Sequence, residues 1–240
     1  MANSRIAPDE LVLRVSQAHA RVLELVDHLD GRQKDAASAL PGWSRGHVLK
    51  HLADNARAFE RQTLAALQGE VVDMYDGGQA ERDQSIGRGA AWSLAELYEE
   101  LELAQRALED AWSRLTAADW RRAVRFRRAT VLDTALARWR EAEIHAVDLR
   151  AGYRPRDWPV DFALHALDFL SGRAPVGMRL VLRATDEEFT QVLGEGRAVE
   201  VSGAVRDLAA WLAGRDVDAR LSATDPHLPE LGPWPPDPAD

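Results

Sequence analysis

Glu141 and His145 stand i, i+4 in the run Glu141-Ala142-Glu143-Ile144-His145. On a helix that spacing sends both side chains off one face, a single turn apart. A carboxylate and an imidazole so held can grip one divalent cation. His47 and His51 repeat the same spacing on a segment far earlier in the chain. One of them would complete three protein ligands and leave a coordination position open, the mark of a catalytic rather than a structural zinc site. Spacing alone does not separate the two. His47 falls in the first turn of its helix, where it can simply face solvent. His51 lies a full turn deeper, where a bundle can enclose a ligand. Glu143 is too close in sequence to His145 to share its face.

The stripe Arg138, Glu141, His145 and Asp148, flanked by Ala135, Leu136, Ala142 and Leu149 as core positions, also fits a solvated helix face or an ion-pair network. Two helices that each offer ligand types at one-turn spacing are a less easily accidental pattern, and spacing alone leaves both readings open. A His, His, Glu set suits Zn2+, with other first-row divalent metals left open. Histidine ligands usually donate their second ring N–H to a carboxylate or carbonyl. Asp148 is the candidate beside His145, and Asp54 or Asn55 beside His51. His19, His28, His165 and His227 have no ligand-type partner at helical spacing and read as structural or surface residues.

The elements that must position these side chains are long amphipathic helices. The first is expected from about Asp9 to Leu29, with Leu11, Val15, Ala18, Val22, Leu25 and Val26 on one side. The second follows the N-cap Ser44 and runs to about Gly69, with Trp43 and Val48 placed as a hydrophobic staple. The third opens on the capping box Ser93-Leu94-Ala95-Glu96 and reaches about Leu115. The fourth covers about Val131 to Arg150, with Gly152 as its C′ residue. Between the second and third lies a long polar, Gly-rich stretch, residues 70–91, expected to be a functional loop. Four such helices around one core imply a bundle, which builds metal sites from inward side chains on facing helices.

After Gly152 the texture changes. Arg154-Pro155-Arg156-Asp157-Trp158-Pro159 breaks helix and reads as a linker. A helix from Val160 to Leu170 is expected next. Strands follow at Met178 to Ala184, Phe189 to Leu193 and Ala198 to Ser202, then a helix from Ala204 to Leu212 and a strand at Ala219 to Ser222. That pattern is a small α+β domain. The tail Leu231-Gly232-Pro233-Trp234-Pro235-Pro236 is too Pro-rich for regular structure. No fixed-period repeat is present. The domain limits read from the sequence are 1–153 and 154–240.

Composition excludes several classes. The chain has 240 residues, 46% hydrophobic and 29% charged, with a formal net charge of −9. A nucleic-acid backbone or an anionic membrane demands a basic face, so neither is expected as the main partner. There is no cysteine, which removes disulfides, thiolate zinc sites and a Cys nucleophile. Any sulfur chemistry must borrow its thiol from a small molecule. Lys34 and Lys50 are the only lysines; every other basic side chain is arginine. MANSRIAPDE has no apolar h-region, and no run approaches the roughly 18 apolar residues of a membrane span. A cytoplasmic protein is expected, monomeric or weakly homo-oligomeric.

The string LPGWSRGHVLKHLADNA at 40–56, together with REAEIHAVDL at 140–149, resembles the mycothiol-dependent maleylpyruvate isomerase family. Met74-Tyr75, Ala80-Glu81-Arg82, Val199-Glu200-Val201-Ser202-Gly203 and Leu212-Ala213-Gly214-Arg215 extend the likeness over nearly the whole chain. The resemblance implies a DinB-like four-helix bundle that holds zinc through His51, Glu141 and His145, so it selects His51 over His47. It also implies a C-terminal α+β domain similar to sterol-carrier folds. Arg82 and Arg215 match positions suited to clamp a small dianionic substrate, and Arg82 and Asn55 are assigned to the mycothiol cofactor.

The implied activity is conversion of maleylpyruvate to fumarylpyruvate. A thiolate adds to the cis double bond, the resulting single bond rotates, and the thiolate leaves. Zinc would favour the thiolate of the incoming thiol; polarising a substrate carbonyl is the other role open to it. Two rival functions share the residues: a mycothiol S-transferase that releases the adduct, and a non-catalytic sensor or carrier of a small ligand.

Overall fold

The computed structural model describes residues 6–235. The chain divides into two compact units, one running to Gly152 and the other beginning at Tyr153.

The first unit is helical: α1 (Pro8–Asp27), α2 (Gly31–Asp35), α3 (Arg45–Gln68), α4 (Gly78–Gly89), α5 (Leu94–Ser113) and α6 (Val131–Asp148). Its core lies where α3 packs on α5 and α6, and α1 on α5 and α6. The apolar stripes meet there. Leu11, Val15, Ala18, Val22 and Val26 of α1, and Leu97, Leu101, Ala104 and Leu108 of α5, are buried. Leu136, read as a core position, is instead partly exposed. Phe59 of α3 meets Phe126 edge-on, with ring centroids 5.1 Å apart.

Local signals fix the helix ends near the candidate ligands. Ser44 caps α3 by accepting from the His47 backbone N–H, and His47 Nδ1 answers by accepting from the Ser44 N–H at 3.2 Å. An imidazole thus fills the place that Glu or Gln takes in a capping box. Gly69 ends α3 with φ 80°, a conformation that costs glycine nothing. Thr130 and Asp133 form the capping box of α6. The left-handed residue after α6 is Arg150, with φ 49°, so Gly152 is not the C′ residue. The Arg150 backbone is held by its own carbonyl, which accepts from Arg45 Nη2 at 3.0 Å, while Arg45 Nε donates to Leu149 O at 2.5 Å. Ala39 N–H donates to Asp148 O at 2.8 Å. One guanidinium at the start of α3 therefore satisfies the last carbonyls of α6.

Residues 70–91 are not one long loop, because α4 occupies much of the stretch. Its sequence is polar and without a capping side chain, and tertiary anchors hold it instead. Ile86 is buried, and Ser85 Oγ donates to Asp54 Oδ2 of α3 at 2.9 Å. Asp54 also pairs with Lys50. The Lys50 stem runs under Gly89, where any Cβ would collide with it, and its ammonium lies 5.1 Å from the Trp92 ring centroid. Lys34 is buried as well and donates to Ala90 O at 3.0 Å. Both lysines of the chain thus pin the corner between α4 and α5.

The second unit holds α7 (Val160–Phe169), β1 (Met178–Ala184), β2 (Thr190–Leu193), β3 (Arg197–Gly203), α8 (Val205–Leu212) and β4 (Ser222–Ala223). The expected linker carries a 3-10 turn at Pro155–Asp157. The sheet is mixed, in the order β2-β1-β3-β4, with β1 and β3 parallel and the outer pairs antiparallel. Leu180 pairs with Val199 and Leu182 with Val201. All four are buried on the sheet face that α8 covers. The last strand begins at Ser222 rather than Ala219, since only Ser222 and Ala223 pair with β3. Residues 231–235 are irregular, and Pro236 of the tail lies outside the described residues. Among the described residues, no helix is long and apolar enough to cross a membrane.

Candidate metal centre

The start of α3 and the end of α6 are tied together by Arg45, so His51, two turns into α3, comes level with His145, one turn from the end of α6. His51 Nε2 lies 2.8 Å from Glu141 Oε2, and His145 Nε2 lies 3.3 Å from the same oxygen. The two imidazoles meet edge to face, with centroids 4.8 Å apart. One ligand-type atom from each of the three residues lies within 4.8 Å of the others. Two borderline nitrogens and one carboxylate oxygen converging in this way fit a first-row divalent cation.

The outer partners fit as well. His145 Nδ1 lies 2.9 Å from Oδ2 of Asp148, a fully buried carboxylate. That bond turns Nε2 toward Glu141 and the point where a cation would sit, the usual arrangement behind a histidine ligand. Trp43 packs edge-on against His51 at 5.6 Å between centroids. Arg82, carried by α4, places Nη2 at 3.4 Å from His51 Nδ1.

Charge is arranged to match. Burial alone would raise the Glu141 carboxyl, but hydrogen bonds from His145 and His51 and their charges hold it well below the usual carboxylate range. Burial pulls the His51 imidazolium below its usual value, against the hydrogen bond and charge of Glu141. Burial acts on His145 in the same direction, yet Asp148 and Glu141 together raise it to about 9. These shifts favour the ionised form of Glu141, the neutral form of His51 and the protonated form of His145, and a cation would displace the His145 proton.

The other residues singled out in the sequence fall in different places. Asn55 is buried in the core and its Oδ1 accepts from Arg138 at 2.9 Å. Asp54 serves Lys50 and Ser85. His47 caps its own helix. Glu143 is buried and pairs with Arg21 at 2.9 Å. Arg215 belongs to the second unit, where its guanidinium carbon lies 5.4 Å from the Trp234 ring centroid and Nη1 donates to Ala213 O at 2.6 Å.

Sequence reasoning passed over three participants. Tyr75 hydrogen-bonds with Arg82; burial raises its phenol well above the usual range, Arg82 opposing, and Glu141 and Asp54 add to the rise. It stays a proton donor. Arg138 is wholly buried one turn before Glu141. His19 is equally enclosed, with Nδ1 2.6 Å from Glu109 Oε1. Tyr75 lies in the bend before α4, and His19 and Arg138 lie on separate helices, so sequence spacing does not reveal their partners; the tertiary packing supplies them.

Two crystal structures share the fold: that of the mycothiol-dependent maleylpyruvate isomerase, 25% identical, and that of a histidine-to-alanine mutant of it, 24% identical. Each superimposes with a TM-score of 0.87 over 95% of this chain and 97% of the other. No curated protein sequence matches. The family model described as the mycothiol maleylpyruvate isomerase N-terminal domain matches residues 15–150, a span that contains His51, Glu141 and His145. The chain belongs to the mycothiol maleylpyruvate isomerase N-terminal domain family.

Proposed function

We propose that this protein is a zinc- and mycothiol-dependent cis–trans isomerase that converts maleylpyruvate to fumarylpyruvate. The observation that carries the reading is the convergence of His51, Glu141 and His145 on one point within the family domain. In this reading the helical unit is a DinB-like four-helix bundle, supported by the mutual packing of α1, α3, α5 and α6. The second unit is a sterol-carrier-like domain, with the domains at 1–153 and 154–240 and the whole protein cytoplasmic.

His51, Glu141 and His145 would hold the cation. Bound there, zinc would supply a positive centre that favours thiolate over thiol, and mycothiol the sulfur nucleophile that makes the double bond rotatable. Asp148 keeps His145 in the tautomer that presents Nε2. Arg82 offers parallel N–H donors for a substrate carboxylate or the cofactor. The Tyr75 phenol, protonated at every working pH, can donate to an oxygen that gains charge. Arg215 is the second carboxylate clamp, braced by Trp234.

Incubation with maleylpyruvate, with and without mycothiol, tests this. A thiol-dependent product of unchanged mass is expected. A product heavier by the thiol would make the protein an S-transferase, and no thiol-dependent turnover would leave a binding protein. Arg82→Ala and Arg215→Ala should each keep the metal and lower kcat/KM about tenfold or more, as loss of a charge-assisted clamp does.

A further inference from the structure

Arg138 has no solvent exposure at all, and its hydrogen bonds run outward to two other helices, with a third reached through one of its partners. Nη1 donates to Leu52 O and to Asn55 Oδ1 of α3, each at 2.9 Å. Nε donates to His19 Nε2 of α1 at 2.9 Å, and the far side of that imidazole engages Glu109 of α5 at 2.6 Å. One polar network thus spans α1, α3, α5 and α6. It crosses between the two ligand-bearing helices beside the ligands themselves. Leu52 follows His51 in sequence, and Arg138 lies one turn before Glu141. A buried guanidinium needs every such partner to offset its desolvation, so α3 cannot slide along α6 without breaking the network. An apolar contact at this level would not resist sliding in the same way, since apolar packing is not directional.

We propose that Arg138 is a positioning residue for the metal centre: by gripping the Leu52 carbonyl and Asn55 it sets the register of α3 against α6 and so the approach of His51 to Glu141. The rest of the network serves the grip. His19 accepts from Nε and Glu109 orients His19, so the guanidinium plane has one orientation. This role rests on the reading of His51, Glu141 and His145 as cation ligands.

The test is metal affinity, measured on the full-length protein with Zn2+ against a chromophoric chelator, together with the visible absorption of Co2+ bound alone. Arg138→Met fills the volume without the hydrogen bonds, and Arg138→Lys keeps the charge with a different donor geometry. Leu108→Ala, a core truncation on α5, serves as the control for lost stability. We expect both Arg138 variants to bind Zn2+ at least tenfold more weakly at temperatures where they remain folded, with an altered Co2+ spectrum. Leu108→Ala should keep the parent affinity and spectrum. Should Arg138→Met fail to fold, Arg138→Lys carries the comparison. Parent-like affinity and spectrum in the Arg138 variants would overturn the proposal, as would an equal loss in Leu108→Ala. If the parent protein itself binds neither metal, the cation-site reading fails instead.

Discussion

Asp148 sits 2.9 Å behind the Nδ1 atom of His145, and its carboxylate has no exposure to solvent. Buried carboxylates that orient a histidine ligand typically contribute 10–100-fold to metal affinity. Asp148→Asn should therefore weaken Zn2+ binding by about 10–100-fold, read by chelator competition. Far-ultraviolet circular dichroism should remain that of the parent, because the amide keeps the volume and one acceptor.

Proton release should accompany metal uptake. Without metal, His145 is raised to about 9 by Asp148 and Glu141, against its burial. Its imidazolium adds to the stability of the metal-free fold fully below the unfolded value of about 6.5, and that contribution is lost as pH rises through about 9. A cation needs the Nε2 lone pair, so binding between pH 6.5 and 8 expels about one proton. Affinity should rise about tenfold per pH unit in that window. Calorimetry in buffers of different ionisation enthalpy counts the proton directly, and a pH-independent affinity would exclude a protonated His145.

Acid stability turns on His19. Its imidazole is lowered from 6.5 to about 4 by burial first and by the Arg138 charge second, with Glu109 opposing. The unfolded chain takes up a proton near 6.5 while the fold refuses it until about 4. The stability present above pH 6.5 is thus lost as pH falls through that interval. At about 1.4 kcal/mol per unit the loss reaches about 3 kcal/mol. His19→Gln, which can still accept from Arg138 and donate to Glu109, should flatten this slope in urea titrations of the metal-free protein between pH 7 and 4.

What the sequence made legible was what periodicity controls. The i, i+4 spacing of Glu141 with His145 put both on one helix face, and Ser44 and Ser93 mark helix starts by local chemistry alone. What it concealed depends on partners remote in the chain. Residues 78–89 carry no capping side chain and little apolar surface; they are helical because Asp54, Lys50 and Trp92 receive them. Arg150 takes the left-handed position ahead of Gly152 because Arg45 holds its carbonyl. Arg138 reads as one more charge on a stripe until α1 and α3 supply its acceptors. His19, likewise, looks unpartnered until Glu109 arrives from α5.

The burial of both lysines has a practical corollary. Lys34 and Lys50 are each no more than 6% exposed, so every basic side chain that faces solvent is an arginine. Amine-directed reagents such as succinimidyl esters therefore find no lysine nucleophile on the folded surface. Enzymatic acylation of lysine likewise has no ready target. Labelling through lysine should therefore be slow in the folded protein, with the ammonium groups beneath Gly89 and Ala90 reacting only once that corner opens.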